Sequence, residues 1–82
     1  MTYKQHQMLQ YIYNYIQEHG MPPRYKEMQQ HFGLKSRASV HHLVTRLCNY
    51  GALERRDDIQ SRNLIVKMTP EQVKQSYIQV EK

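Results

Sequence analysis

Three glycines and one Pro-Pro step punctuate this chain so sharply that few folds remain open to it. Gly20 sits where a left-handed residue would end a first helix, and Pro22 and Pro23 forbid its continuation. Gly33 then ends a second, shorter helical stretch, and Gly51 closes a third. The order that results is helix, helix, tight turn, helix, and finally an extended segment.

The stretches between these marks carry helical signals of their own. Thr2-Tyr3-Lys4-Gln5 has the form of a capping box, and Met8, Leu9, Ile12 and Ile16 then recur at helical spacing, with Tyr11 and Tyr15 widening the stripe. Pro23 suits the entry to the second helix, where its missing amide costs little, and Tyr25, Met28 and Phe32 share one face of that helix. After Leu34-Lys35, Ser36 can cap the third helix, whose Val40, Leu43, Val44, Leu47 and Cys48 form the apolar stripe. Its other face holds Arg37, Ser39, His41, His42, Thr45, Arg46 and Asn49.

Beyond Gly51, Leu53-Glu54-Arg55 and Leu64-Ile65-Val66 are short strand candidates, and the polar residues 57–63 between them can turn a hairpin. Thr69-Pro70-Glu71-Gln72 repeats the pattern of a cap, a proline and an acidic first turn. Val73, Tyr77 and Val80 then suit an amphipathic terminal helix. The fold class expected is mainly α with a small β-hairpin: a winged helix-turn-helix of three helices plus wing, with a short C-terminal helix. Residues 1–68 would make the domain and residues 69–82 a helical segment able to serve in dimerisation.

Composition narrows the function. The 82 residues, 39% of them hydrophobic, support one modest core but not a core plus an enclosed catalytic cleft. Twelve Lys and Arg stand against seven Asp and Glu. The surplus is concentrated: residues 34–67 hold seven basic against three acidic side chains, while the flanks are nearly balanced. A basic surplus there favours a polyanionic partner. One Cys48 excludes an intramolecular disulfide and reads as a small buried hydrophobe in a reducing compartment. No stretch approaches the roughly 18 apolar residues of a membrane span, and the N-terminus lacks the apolar core of a signal peptide, so the expected location is cytoplasmic.

Several residues invite sharper readings that their context does not support. His41 and His42 are adjacent on a helix, about 100 degrees apart, whereas a helical metal site uses ligands at i and i+4. Seven Tyr residues suggest stacking platforms for single strands, but Tyr11, Tyr15 and Tyr25 fall in or beside apolar stripes, which favours packing with a wet hydroxyl. No triad ordering and no Gly-rich phosphate loop occurs, so no enzyme, cofactor or small-molecule substrate is implied.

Taken in order, Gly20-Met21-Pro22-Pro23 followed by Glu27, then Gln30-His31-Phe32-Gly33, Ser36 opening the third helix, and Gly51-Ala52-Leu53-Glu54 leading to Ser61-Arg62, resemble the N-terminal winged helix-turn-helix domain of LexA, the bacterial SOS repressor. The resemblance covers roughly residues 2–66. It implies a dimeric repressor of bacterial or phage origin that reads a palindromic operator in double-stranded DNA, with the third helix in the major groove and the wing over the adjacent backbone. The family's base-reading positions fall on Ser36, Ala38, Ser39, His41 and His42, and backbone contacts are expected from Arg24, Lys26, Lys35, Arg37, Arg46, Ser61 and Arg62. Arg55 and Arg56 are further candidates for phosphate contact, though Asp57 and Asp58 also offer them local ion-pair partners.

The chain departs from the family pattern in ways that matter chemically. It has Ala38 where the family has Asn, and His41 and His42 where the family has a pair of Glu. Glutamate only accepts, from cytosine amino groups, whereas neutral His donates or accepts and Ala offers only a methyl contact to thymine. A non-standard operator is therefore expected. Arg24 stands where the family commonly has a capping Thr, and Arg cannot accept an amide proton. The peptidase domain of the family, with its Ser-Lys pair and cleavage site, has no counterpart in these 82 residues, so regulation is expected to come from elsewhere, and residues 69–82 or DNA itself would assemble two copies. Other readings left open are a protein-interaction adaptor and an excised domain of a longer repressor.

Overall fold

The computed structural model describes residues 2–56 and 64–73. Helix α1 spans Tyr3–His19, α2 Tyr25–Phe32 and α3 Arg37–Tyr50, followed by strands β1 Leu53–Arg55 and β2 Leu64–Val66. The fold is mainly helical with a two-stranded antiparallel hairpin, the winged helix-turn-helix arrangement read from the sequence.

Each helix begins and ends on a local device. Thr2 is the α1 cap: its hydroxyl accepts from the Gln5 amide at 3.2 Å while Gln5 Oε1 accepts from the Thr2 amide at 3.0 Å, a reciprocal capping box. Gly20 closes α1, its amide donating to the Ile16 carbonyl at 2.7 Å. The second helix differs from the sequence expectation. Pro23 is not its first residue: Arg24 is the N-cap, extended at φ −80° and ψ 159°, and α2 starts at Tyr25. The cause is Glu27, whose Oε1 accepts from the Arg24 amide at 2.8 Å and so fixes the boundary one residue later. Pro23 instead precedes the cap, fully buried, and with buried Met28 holds the two positions of a hydrophobic staple.

The turn between α2 and α3 depends on Gly33, which sits at φ 63°, a left-handed conformation costly for a residue with a Cβ. That turn lets the Leu34 amide reach back to the Gln29 carbonyl at 3.0 Å, satisfying the end of α2. Ser36, extended, then caps α3 by accepting from the Ser39 amide at 3.3 Å.

One core unites the helices and the hairpin. Met8, Leu9 and Ile12 of α1 meet Met28 of α2, Val40, Val44 and Leu47 of α3, and Ala52, Leu53 and Leu64 at the base of the wing. Cys48 packs at its edge, half-buried rather than enclosed. The strands pair Leu53 with Val66, Glu54 with Ile65 and Arg55 with Leu64, which turns Leu53 and Leu64 inward. A helical turn resumes over 70–73, and its cap repeats the α1 device: Thr69 Oγ1 accepts from the Gln72 amide at 3.3 Å and Gln72 Oε1 from the Thr69 amide at 2.9 Å. Val73 is fully buried in the same core, so this turn packs against the residues preceding it. Tyr77 and Val80 lie outside the described residues.

Candidate nucleic-acid interface

The geometry of α3 follows from its burial. Val40, Val44 and Leu47 fix the inward side, so at 100 degrees per residue the row Ala38, His42, Thr45 and Asn49 runs along the outward side. Ala38, His42 and Asn49 are exposed, and Thr45 is half-buried. Arg37 and His41 occupy one flank of this row, Ser39 and Arg46 the other, all exposed except half-buried Ser39. The five residues expected to read bases thus divide: Ala38, His41 and His42 project from the first two turns, whereas the hydroxyls of Ser36 and Ser39 lie 3.4 Å apart and are engaged at the cap.

Positive charge frames this face. Lys35 in the turn and Arg37 in the first turn of α3 are exposed, and no acidic residue stands in that first turn. Arg24 and Lys26 are exposed at the start of α2, and Arg46 lies further along α3. Helix amino termini carry unpaired amides and the positive end of the helix dipole, so α3 offers an anion-binding end beside these cations, whereas the Glu27 carboxylate already lies at that of α2. Ser61 and Arg62 lie outside the described residues.

Two further side chains flank α3: Lys4, which carries no site signal in the sequence, and Arg55, whose contacts with α2 and α3 the sequence does not show. Lys4 of α1 joins Leu34, Ala38, Ser39, His42 and Leu43 around an open hollow beside the helix, which adds a cation to one flank. On the other flank stands Arg55, at the end of β1. Its guanidinium donates to the Tyr25 hydroxyl (3.1 and 3.3 Å) and to Thr45 Oγ1 (2.9 Å), and its Nη2 also lies 3.4 Å from His41 Nδ1. The sequence pointed Arg55 toward its neighbours Asp57 and Asp58, which lie outside the described residues. Tertiary packing turns it onto α2 and α3, tying the root of the wing to both helices of the helix-turn-helix. A planar fork with five donors suits such a junction.

Tyr11, Tyr15 and Tyr25 have structural partners. The Tyr15 hydroxyl donates to Glu27 Oε2 at 2.6 Å, and the Tyr11 ring stacks on His31 with centroids 4.1 Å apart. Burial pushes the Tyr11 hydroxyl above its ordinary pKa, with Glu27 and Tyr15 adding to the shift. Burial likewise pushes the Cys48 thiol up, against an opposing pull from Arg55. Among the described residues no three His, Cys, Asp or Glu side chains gather as a metal site, and no helix is long and apolar enough to cross a membrane.

A three-helix core, a helix-turn-helix whose second helix turns a polar, cation-flanked face outward, and a hairpin packed at its end define a winged helix-turn-helix domain of the DNA-binding class. The family model of the LexA DNA binding domain matches residues 1–63, and the chain belongs to that family. It is also similar to the LexA repressor of Erythrobacter litoralis (strain HTCC2594), with 33% identity over 73 residues. That similarity covers 89% of this chain and 31% of the relative, so the chain spans about a third of that repressor's length.

Proposed function

We propose that the chain is a sequence-specific regulator of transcription that binds double-stranded DNA and represses by occluding its operator. The observation that carries this reading is the outward face of α3, where Ala38, His41 and His42 project from the amino-terminal turns between exposed cations. These turns are the ones that contact base edges when a recognition helix enters the major groove, and they span about four base pairs. Arg24, Lys26, Lys35, Arg37 and Arg46, with Ser61 and Arg62 of the segment between the strands, hold the duplex through phosphates, and Lys4 joins them from α1. Each neutralised phosphate adds affinity that is independent of sequence and sensitive to salt.

Base preference then rests on residues unlike those of the family pattern. The methyl of Ala38 favours thymine, and the imidazoles of His41 and His42 replace acceptor-only carboxylates, so the preferred site differs from a standard SOS operator. Two copies bind the two halves of a palindrome, one helical turn or a multiple of it apart.

Selection from a randomised duplex library, followed by competition between the winning duplex and a scrambled one, tests the reading. A palindromic winner bound at least about a thousandfold more tightly than the scrambled duplex is expected. Weak and equal binding to both would refute sequence-specific regulation and favour a protein-interaction role for the same fold.

A further inference from the structure

The contact between Arg55 and His41 bears on which base His41 can read. Arg55 is a pure donor: a guanidinium has five N–H groups, no acceptor, and stays charged. Its Nη2 lies 3.4 Å from His41 Nδ1, and beside a pure donor that nitrogen is best left with its lone pair, which puts the imidazole proton on Nε2. The guanidinium is not free to turn away, because Tyr25 and Thr45 hold it from two other elements at 3.1 and 2.9 Å. His41 itself is exposed, its ring 6.3 Å from that of Tyr25, and among the described residues Arg55 and Tyr25 face it from outside α3.

We infer that Arg55 is a positioning residue for base recognition: pinned by Tyr25 and Thr45, it occupies Nδ1 of His41, so that His41 presents Nε2–H outward and selects a base with a major-groove acceptor, guanine foremost, at the position it meets. Guanine offers both N7 and O6 there, whereas cytosine offers only an amino donor. The inference rests on the reading of the α3 face as a DNA-reading surface, and it adds a residue of β1 to the determinants of specificity. Arg55 acts through His41 and needs no contact with a base. The same fork also sets where the wing leaves the domain, so a substitution that merely loosened the wing must be told apart from one that frees the imidazole.

The test is a double-variant cycle on the full chain, using the duplex selected by the wild type and the set of duplexes changed one base pair at a time. His41→Ala locates the pair read by His41, with a loss of about tenfold in discrimination there. Arg55→Lys keeps the positive charge but not the fork, and Tyr25→Phe removes one of the groups that hold it. Both are expected to lose discrimination at that same pair and at no other, with the slope of affinity against salt unchanged. Adding Arg55→Lys to His41→Ala should cost nothing further at that pair.

Undiminished discrimination in Arg55→Lys, an additive loss in the double variant, or a uniform loss at every pair would each overturn the inference while leaving DNA binding intact. A winning duplex whose located pair holds no guanine would overturn it as well. A wild type that selects no duplex at all would overturn the functional reading on which it rests.

Discussion

The N-cap of α2 supports a prediction in which stability and DNA binding move in opposite directions. Arg24 occupies that cap at φ −80° and ψ 159°, nearly the backbone geometry of Thr2 at the α1 cap, φ −82° and ψ 161°. Thr2 accepts from the amide three residues on, and Arg24 cannot, so only the Glu27 half of the α2 capping box is made. Arg24→Thr places a hydroxyl where the backbone already suits it and completes the box. A missing cap of this kind is worth about 1 kcal/mol. In a domain of this size that corresponds to a rise in Tm of about 4–8 °C. Thermal unfolding followed by circular dichroism at 222 nm measures it directly, and an unchanged or lowered Tm would refute the reasoning about the half-made cap. The same variant removes a cation proposed to meet a phosphate, so the slope of log affinity against log salt should flatten by about 0.9. A raised Tm with an unchanged slope would keep the capping argument and remove Arg24 from the DNA contacts.

Three further predictions follow from packing, charge and backbone. Val73→Ala deletes two fully buried methyl groups and should destabilise the chain by about 2–3 kcal/mol in chemical denaturation, because Val73 belongs to the core of the helices rather than to a separate segment. Both the Cys48 thiol and the Tyr11 hydroxyl hold their protons more tightly in the folded chain, since burial raises each pKa. Their contribution is complete below the ordinary values and is lost as pH rises through the folded ones. The denaturation midpoint should therefore fall with rising alkaline pH, less steeply in Cys48→Ala; a midpoint that rises there would contradict the burial argument. Gly33→Ala meets no steric obstacle, with nothing within 4 Å of the added carbon, yet forces a left-handed conformation and should lower stability by about 1–2 kcal/mol in a thermal melt.

How far the sequence alone reached depended on how local each determinant was. The ends of all three helices were legible because caps and left-handed glycines are written within four residues of one another, as in Thr2 with Gln5 or Gly33 with Leu34. The start of α2 is legible in two ways, with the prolines pointing to Pro23 as the entry and the family resemblance to Arg24 as the cap, and the side chain of Glu27 decides for Arg24. Burial on α3 followed its periodicity, which is why the exposure of His41 and His42 could be anticipated. Arg55 could not be placed that way. Its partners Thr45, His41 and Tyr25 lie 10, 14 and 30 residues away in sequence, and an Arg beside Asp57 and Asp58 reads locally as half of an ion pair. Lys4 was missed likewise, since only the packing of α1 against α3 brings it to the hollow beside Ala38 and His42.

The most direct measurement is a nuclear magnetic resonance titration of the full chain with the selected duplex, reading amide shifts residue by residue. If α3 is the reading helix, the largest changes fall on Arg37, Ala38, His41, His42 and Thr45, with the start of α2 and the root of the wing next. Changes centred instead on the hollow between α1 and α2, lined by Tyr3, Tyr11, His31 and Phe32, with α3 unmoved, would contradict the assignment of the DNA-binding face.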